Sequence, residues 1–381
     1  MTDNLYEKKD LIRFINEPFP MQYQRMLAKV MEAIMLTQGD IALAFSGGKD
    51  SALIVDVYCY IISEIFTKYK DRPIKVMWAN TTNETKAMRD YIPFFIERCE
   101  TKYGVKIDFT EVTPEKGRNI ISVMKEEGLP FVSKSVASIL RKVRDSMDEN
   151  GVTYDDIKDL HKPTVYCRDA LREMGLNDTT VLAMTGWSCN RNDFGTCFVL
   201  PKQWMPLLNM KALTGCDIRY SEKCCNILKK EPMSRLNYPN IMTGEQAVES
   251  RTREQSWLKT GCNYKLPDGA IKSKPLGALS LDAILYSIKE RKVPLSPDYG
   301  EVVYCGGKKN CFKCSKAQRT GCSLCGFGIR YDPDRFIRLQ ETEPAKIAYA
   351  FKPFEQGGLG YRETCEVLNK HCGMNISIPQ I

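Results

Sequence analysis

The sequence predicts an α/β fold with a doubly wound, mostly parallel sheet, on three observations. Short apolar runs suited to buried strands alternate with longer patterned stretches suited to helices. The first run, IALAF at 41–45, breaks into Ser46-Gly47-Gly48-Lys49-Asp50-Ser51 and then resumes as SALIVDVYCYIISEIFTKY over 51–69, which reads as strand, glycine loop and helix. The chain has 381 residues, enough for one large domain of this kind with an appendage, or for two domains.

Each element follows in order. QYQRMLAKVMEAIMLTQ, 22–38, puts Met26, Val30, Ile34 and Met35 on one helical face and predicts a packing helix. After the glycine loop, Asp50 or Ser51 is the expected cap of the helix. IKVMWANT at 74–81 predicts a second strand, AMRDYIPFFIERCETKYG a helix, and KIDFTEVTP at 106–114 a third strand. A helix is expected in VASILRKVRDSM, and then the pattern decays over 150–215, where VLAMTGW reads as a strand or a buried turn. Regularity returns in YPNIMTGEQAVESRTREQSWLK, with NIMTG ending a fourth core strand before a charged helix. SLDAILYSIKERKVP, 280–294, is a helix capped by Ser280. These readings divide the chain into an N-terminal helical segment, 1–40; an α/β domain, 41–300, with an insertion at about 150–215; and a Cys-rich segment with a helical tail, 301–381.

Composition narrows the function. Lys and Arg number 55 against 47 Asp and Glu, a net charge of +8 dispersed along the chain. That balance suits an anionic small substrate or a nucleic acid. The opening MTDNLYEKKDLIRF is too charged for a signal peptide, and no run approaches the ~18 apolar residues of a membrane span, so a cytoplasmic protein without membrane contact is expected. Sixteen cysteines in such a protein read as metal ligands or redox groups, not as a disulfide framework. His161 and His371 are the only histidines, and histidine acid–base chemistry is not expected.

The glycine loop has the chemistry of an anion site. Two glycines let successive N–H groups converge, the helix adds its positive end, Ser46 and Ser51 add hydroxyls, and Lys49 adds a charge. The Walker spacing G-x-x-x-x-G-K-[ST] is absent, which sets aside an ordinary nucleotide triphosphatase. SGGKDS resembles the PP-loop, the S-G-G-x-D-S signature of the ATP pyrophosphatase and sulfonucleotide reductase superfamily. The resemblance implies an adenine nucleotide alpha hydrolase-like fold and an adenine nucleotide held by Ser46, Gly47, Gly48, Lys49, Asp50 and Ser51, with magnesium as a companion of its phosphates. Lys49 and Asp50 are the catalytic candidates within the loop. In the same superfamily the end of the second strand meets the nucleotide, which makes Asn80, Thr81 and Glu84 in ANTTNE candidates.

Further segments resemble the phosphoadenosine phosphosulfate and adenylylsulfate reductase family. KCCNILKKEPM is similar to its C-C-x-x-x-K-x-x-P-[LM] segment, in which paired cysteines and a distant CxxC ligate a [4Fe-4S] cluster. The resemblance implies Cys224, Cys225, Cys322 and Cys325 as ligands, with Lys229 and Lys230 near the cluster. IMTGEQAVESRTR resembles the family's G-x-x-x-x-E-S-x-x-R segment and nominates Glu249, Arg251 and Arg253 for the nucleotide's phosphate or sulfate, against a plain i,i+4 pair of Glu249 with Arg253. FVSKS resembles its serine-lysine element and adds Ser133 and Lys134.

Two departures keep alternatives open. The family's nucleophile lies in an E-C-G-[LI]-H tail, and here NKHCGMN offers only Cys372, without the flanking Glu and His. The extra thiols Cys311 and Cys314 form with Cys322 and Cys325 a pair of CxxC knuckles, an alternative zinc site. The expected function is therefore sulfur chemistry on ATP or a sulfated adenine nucleotide, with a thioredoxin-like reductant. The alternatives are an ATP-dependent iron-sulfur sulfurtransferase of the DNA phosphorothioation or tRNA thiolation type, fed by a cysteine-desulfurase-type donor and acting on nucleic acid, and a non-catalytic nucleotide-binding module with structural zinc.

Overall fold

The computed structural model describes residues 4–187, 199–307 and 311–381. The chain forms two compact units, both discontinuous in sequence: unit 1 is Met1–Asn80, Glu84–Thr113 and Pro232–Gly321, and unit 2 is Thr81–Asn83, Pro114–Glu231 and Cys322–Ile381. The strands of the described residues are β1 Ala42–Ala44, β2 Ile74–Ala79, β3 Ile107–Val112, β4 Phe131–Val132, β5 Ile241–Met242, β6 Asn263–Lys265, β7 Ile271–Ser273, β8 Val302–Tyr304, β9 Phe312–Cys314 and β10 Gly326–Phe327.

Unit 1 is built on a six-stranded sheet in the order β3-β2-β1-β5-β7-β6. Its strands are parallel except β6, which runs antiparallel to β7. The fold is thus mixed α/β with a mostly parallel sheet, as expected, and NIMTG supplies the fourth core strand, registered Ala42 to Ile241 and Leu43 to Met242. The central strands β1 and β5 are wholly apolar and β2 nearly so, as a sheet covered by helices requires, while the edge strands β3 and β6 carry polar and charged residues. Leu43, Leu53, Val57, Phe95 and Ile284 are fully buried in one core cluster. The helix Leu281–Glu290 starts as expected, Ser280 accepting from the Ala283 N–H at 3.1 Å.

The helix after the glycine loop begins earlier than its sequence suggests. It runs Lys49–Glu64 with Gly48 at the cap, and Ser51 lies inside its first turn. The Ser51 hydroxyl turns back on the loop, accepting from the Ser46 N–H at 3.1 Å and donating to the Gly48 carbonyl at 2.9 Å. The loop therefore uses its would-be cap to brace itself.

Unit 2 is mainly helical around a second core that includes Val123, Phe131, Val143, Leu171, Phe336, Tyr361 and Leu368. The strands β4 and β10 pair in parallel within it. VLAMTGW departs from expectation: its first five residues lie in a helix, Asp178–Thr185, opened by Asn177 accepting from the Thr180 N–H at 2.9 Å and ended by Gly186 at φ 77°. The apolar run masked both end signals. Residues 188–198 of the expected insertion lie outside the described residues. Among the described residues no helix is long and apolar enough to cross a membrane.

Candidate functional site

The glycine loop sits where an open α/β sheet makes a crevice. The chain leaves β1 toward β2 and β3 on one side and returns to β5 on the other, so the strand order reverses at β1. Loops at the carboxyl ends of two such strands diverge and leave room for a ligand. Here the loop after β1 meets the segment after β5 closely. A Cβ on Gly244 would stand 3.0 Å from the Asp50 carbonyl carbon and 3.1 Å from the Ser51 nitrogen, so this approach requires glycine. Gly47 takes φ 72°, and a Cβ there would collide with the Met88 sulfur.

Within the loop, the Ser46 and Ser51 hydroxyls lie 3.2 Å apart and the Gly48 N–H points to the Ser46 oxygen at 3.4 Å. Lys49 is buried, and its ammonium rests 3.1 Å from Asp50 Oδ2. The other Asp50 oxygen accepts from Gln246 at 3.0 Å. Asp50 is thus fixed on both oxygens, and the 16-residue helix behind it directs its positive end at the loop.

The remaining nucleotide candidates divide between the units. In unit 1, Asn80 donates to Glu111 on β3 at 2.7 Å, and Glu84 is buried with its carbonyl accepting from Arg89 at 2.8 Å. Arg253 pairs with Glu249, which also meets Arg319 at 3.4 Å, so the i,i+4 pair is formed. Arg251 opens the same helix as an exposed side chain. Thr81, Ser133 and Lys134 belong to unit 2. Ser133 caps the helix Lys134–Glu149, and Thr81 stands 3.4 Å from the Cys322 sulfur.

The four cluster candidates all lie in unit 2. Cys224 is buried and Cys225 half-buried at the entrance of a π-helical turn, Asn226–Lys230, a wider turn that often marks functional sites. Cys224 feels the thiols of Cys225, Cys325 and Cys322 in that order of strength. The pair shares its charge unevenly. The Cys224 hydrogen bond draws the Cys225 thiol well below its usual range against the effect of burial, and Lys134 and Lys229 draw it in the same direction. Burial pushes Cys325 up, with Arg335 opposing. Among the described residues no three metal-ligating side chains are gathered tightly enough to hold a metal ion. Cys225, Cys325 and Cys322 each act on Cys224, Lys134 and Lys229 act on Cys225, and Arg335 acts on Cys325, a set of thiols and cations whose donor chemistry would suit a thiolate-ligated centre. Lys230 is exposed on the same turn.

Cys311 and Cys314, the other half of the alternative zinc set, belong to unit 1, where the Cys311 thiol donates to the Gly307 carbonyl at 2.9 Å. Cys372 ends the helix Tyr361–His371 and lines a cleft of about 300 Å³ with Trp204, Ile329 and Arg330. Burial pushes its thiol up to about 12, so at neutral pH it is a protonated core residue and not a thiolate.

No family model matches the chain, and no curated protein does. Among solved structures the chain is similar to the phosphoadenylyl-sulfate (PAPS) reductase of Candida auris in its phosphate complex. That match has 12% identity, covers 71% of this chain and 81% of that one, and has a TM-score of 0.32. A likeness this distant says nothing about chemistry.

Several residues at these sites escaped the sequence. Gln246 lies inside a segment read for its glycine and its charged residues. Tyr299, 250 positions from Lys49, accepts from the Lys49 N–H at 3.3 Å. Arg335 donates to the Cys322 carbonyl at 2.9 Å, while its buried Nε has no partner among the described residues. Nothing in the local sequence flags any of them, because each acts across a fold contact.

Proposed function

We propose that this protein is an adenine-nucleotide-binding enzyme of sulfur chemistry, similar in kind to the phosphoadenosine phosphosulfate and adenylylsulfate reductases. The observation that carries the reading is the loop Ser46–Ser51, braced by its own serines, at the reversal point of a mostly parallel sheet and at the positive end of a long helix. Such a loop binds the phosphates of a nucleotide through backbone N–H groups and hydroxyls. Lys49 and Asp50 orient the reacting phosphate, alone or with magnesium.

In unit 2, Cys224, Cys225, Cys322 and Cys325 would hold a [4Fe-4S] cluster. When bound, such a cluster supplies an anionic, electron-accepting centre. Lys134, Lys229 and Arg335 lower the cost of burying that charge. The Cys311 thiol, already donating to the Gly307 carbonyl, favours this set over zinc knuckles.

One observation favours a second reading. A reductase needs a thiolate to attack the sulfonate sulfur as the sulfur–oxygen bond to the nucleotide breaks, and Cys372 is held protonated. An ATP-dependent sulfurtransferase needs no such tail: the acceptor oxygen takes AMP from ATP, pyrophosphate leaves, and donor sulfur then displaces AMP. Anaerobic incubation of the iron-reconstituted protein with ATP, adenylylsulfate and phosphoadenylylsulfate, with thiol reductant and with or without nucleic acid, decides between them. Sulfite from a sulfated nucleotide is the expected product. AMP and pyrophosphate from ATP, dependent on nucleic acid, establish the second reading, and no turnover of any nucleotide overturns both.

A further inference from the structure

We propose that the phenolic hydroxyl of Tyr299 is a direct ligand of the anion held by the loop Ser46–Ser51, donating its proton to a phosphate oxygen. The proposal rests on the phosphate-binding reading of that loop and adds a residue from the far end of unit 1.

Tyr299 is buried, 3% exposed, and its hydroxyl faces the loop. A Cβ built on Gly48 would stand 3.4 Å from the Tyr299 oxygen, which places that oxygen beside the middle of the loop. The oxygen accepts twice, from the Lys49 N–H at 3.3 Å and from the Thr320 hydroxyl at 2.7 Å. A tyrosine hydroxyl has two acceptor positions and one proton to give. Both acceptor positions are used, and the proton has no acceptor among the described residues. Were Thr320 and Tyr299 to exchange roles, one proton of the pair would still be unclaimed. Burying a hydroxyl without spending its proton is costly, and the nearest place to spend it is the anion position in front of Gly48 and Lys49.

Burial also pushes the phenol up, against the pull of Lys49, so the group keeps its proton at neutral pH. The neighbouring backbone holds the tyrosine in place: the Lys316 N–H donates to the Tyr299 carbonyl at 3.0 Å, and the Tyr299 N–H donates to Ser296 at 2.9 Å. The result is a buried hydroxyl held beside Gly48 and Lys49, with Thr320 orienting it.

The test is calorimetric titration of the full chain with ATP, inorganic pyrophosphate and adenosine, for the wild type, Tyr299→Phe and Thr320→Val. A hydrogen bond to a charged oxygen predicts about tenfold weaker ATP and pyrophosphate binding for Tyr299→Phe, with adenosine binding unchanged. Thr320→Val, which leaves the phenol but frees its orientation, should weaken the same two ligands by about two- to fivefold. Unchanged ATP affinity in Tyr299→Phe overturns the proposal while leaving the phosphate loop intact. Equal losses of ATP and adenosine assign the tyrosine a purely structural role and also overturn it. If Tyr299→Phe does not fold, Thr320→Val decides: no loss of pyrophosphate binding overturns the proposal. Failure of the wild type to bind either phosphate ligand removes the phosphate loop as well.

Discussion

Two pairs of neighbouring thiols, one in each unit, show what separates a packing cysteine from a ligand candidate. Cys59 and Cys99 are fully buried in unit 1, on the helices Lys49–Glu64 and Lys86–Tyr103. Cys224 and Cys225 stand side by side in unit 2. Burial disfavours the thiolate in both pairs. In the first, the hydrogen bond with Cys99 and burial push Cys59 well above its usual range, and Asp56 and Glu100 add to the push. In the second, Lys134 and Lys229 reinforce the hydrogen bond and draw Cys225 down. Cations do lie near the first pair, but Asp56 claims them: Arg291 meets it at 2.6 Å and Arg98 and Lys102 at 3.4 Å each. Unspent positive charge beside the sulfur marks the ligand candidate, and spacing in the sequence does not.

The strongest way to break this comparison is to delete each pair. Cys224→Ser with Cys225→Ser should reduce iron bound after anaerobic reconstitution, and its visible absorbance, to background. Cys59→Ala with Cys99→Ala should keep the iron and instead lose about 1–3 kcal/mol of stability in urea unfolding, as core truncations do. If the first double variant retains wild-type iron, the thiols of unit 2 are packing residues like those of unit 1.

A smaller effect sharpens the role of the cations. In metal-free protein, Lys134→Gln should move the rise of Cys225 alkylation with pH upward by up to about one unit, slowing the reaction several-fold near and below pH 5, where the thiolate fraction falls tenfold per unit, and hardly at pH 7. Cys59 and Cys99 should react no differently in that variant. An unchanged Cys225 pH profile would show that its partner thiol alone sets its reactivity. The cleaner readout is mass spectrometry of the separate peptides.

The same contrast explains what could be read in the sequence. The glycine loop was legible because all its parts are contiguous: strand, Ser46 to Ser51, helix. The fourth core strand was legible because an apolar run ends in turn residues. The helix Asp178–Thr185 was not, since its apolar residues hide a cap at Asn177 that only the backbone bond to Thr180 reveals. The starting residue of the helix after the loop was misplaced because Ser51 looks like a cap and serves as a brace. The thiols of unit 2 were grouped by resemblance alone, across a hundred residues. Lys134 also draws the Cys225 thiol down, an effect that its serine-lysine segment does not announce. Tyr299, Gln246 and Arg335 carry no motif, so their contacts are legible only once the chain is folded.

The smallest expected effect concerns how the vicinal cysteines are delivered. The turn before them is pinned by Glu222, which receives Arg141 at 2.8 Å, and by Lys223, which meets Glu127 at 2.7 Å. For Glu222, burial favours the protonated form, but the hydrogen bond from Arg141 prevails and holds its carboxyl below the usual 4.5. The sign follows: a depressed folded-state value stabilises above pH 4.5 and is lost as pH falls through the lower folded value. Both partners are partly exposed, so Arg141→Gln should lower the melting temperature by no more than about 2–4 °C. Its specific mark is faster alkylation of Cys224 and Cys225, with Cys59 and Cys99 unchanged. Wild-type protein should show that mark only as pH falls through the folded value of the carboxyl, which lies below 4.5. Equal acceleration at both pairs would mean that the variant loosens the whole chain, and that the turn bearing the vicinal thiols has no separate hold.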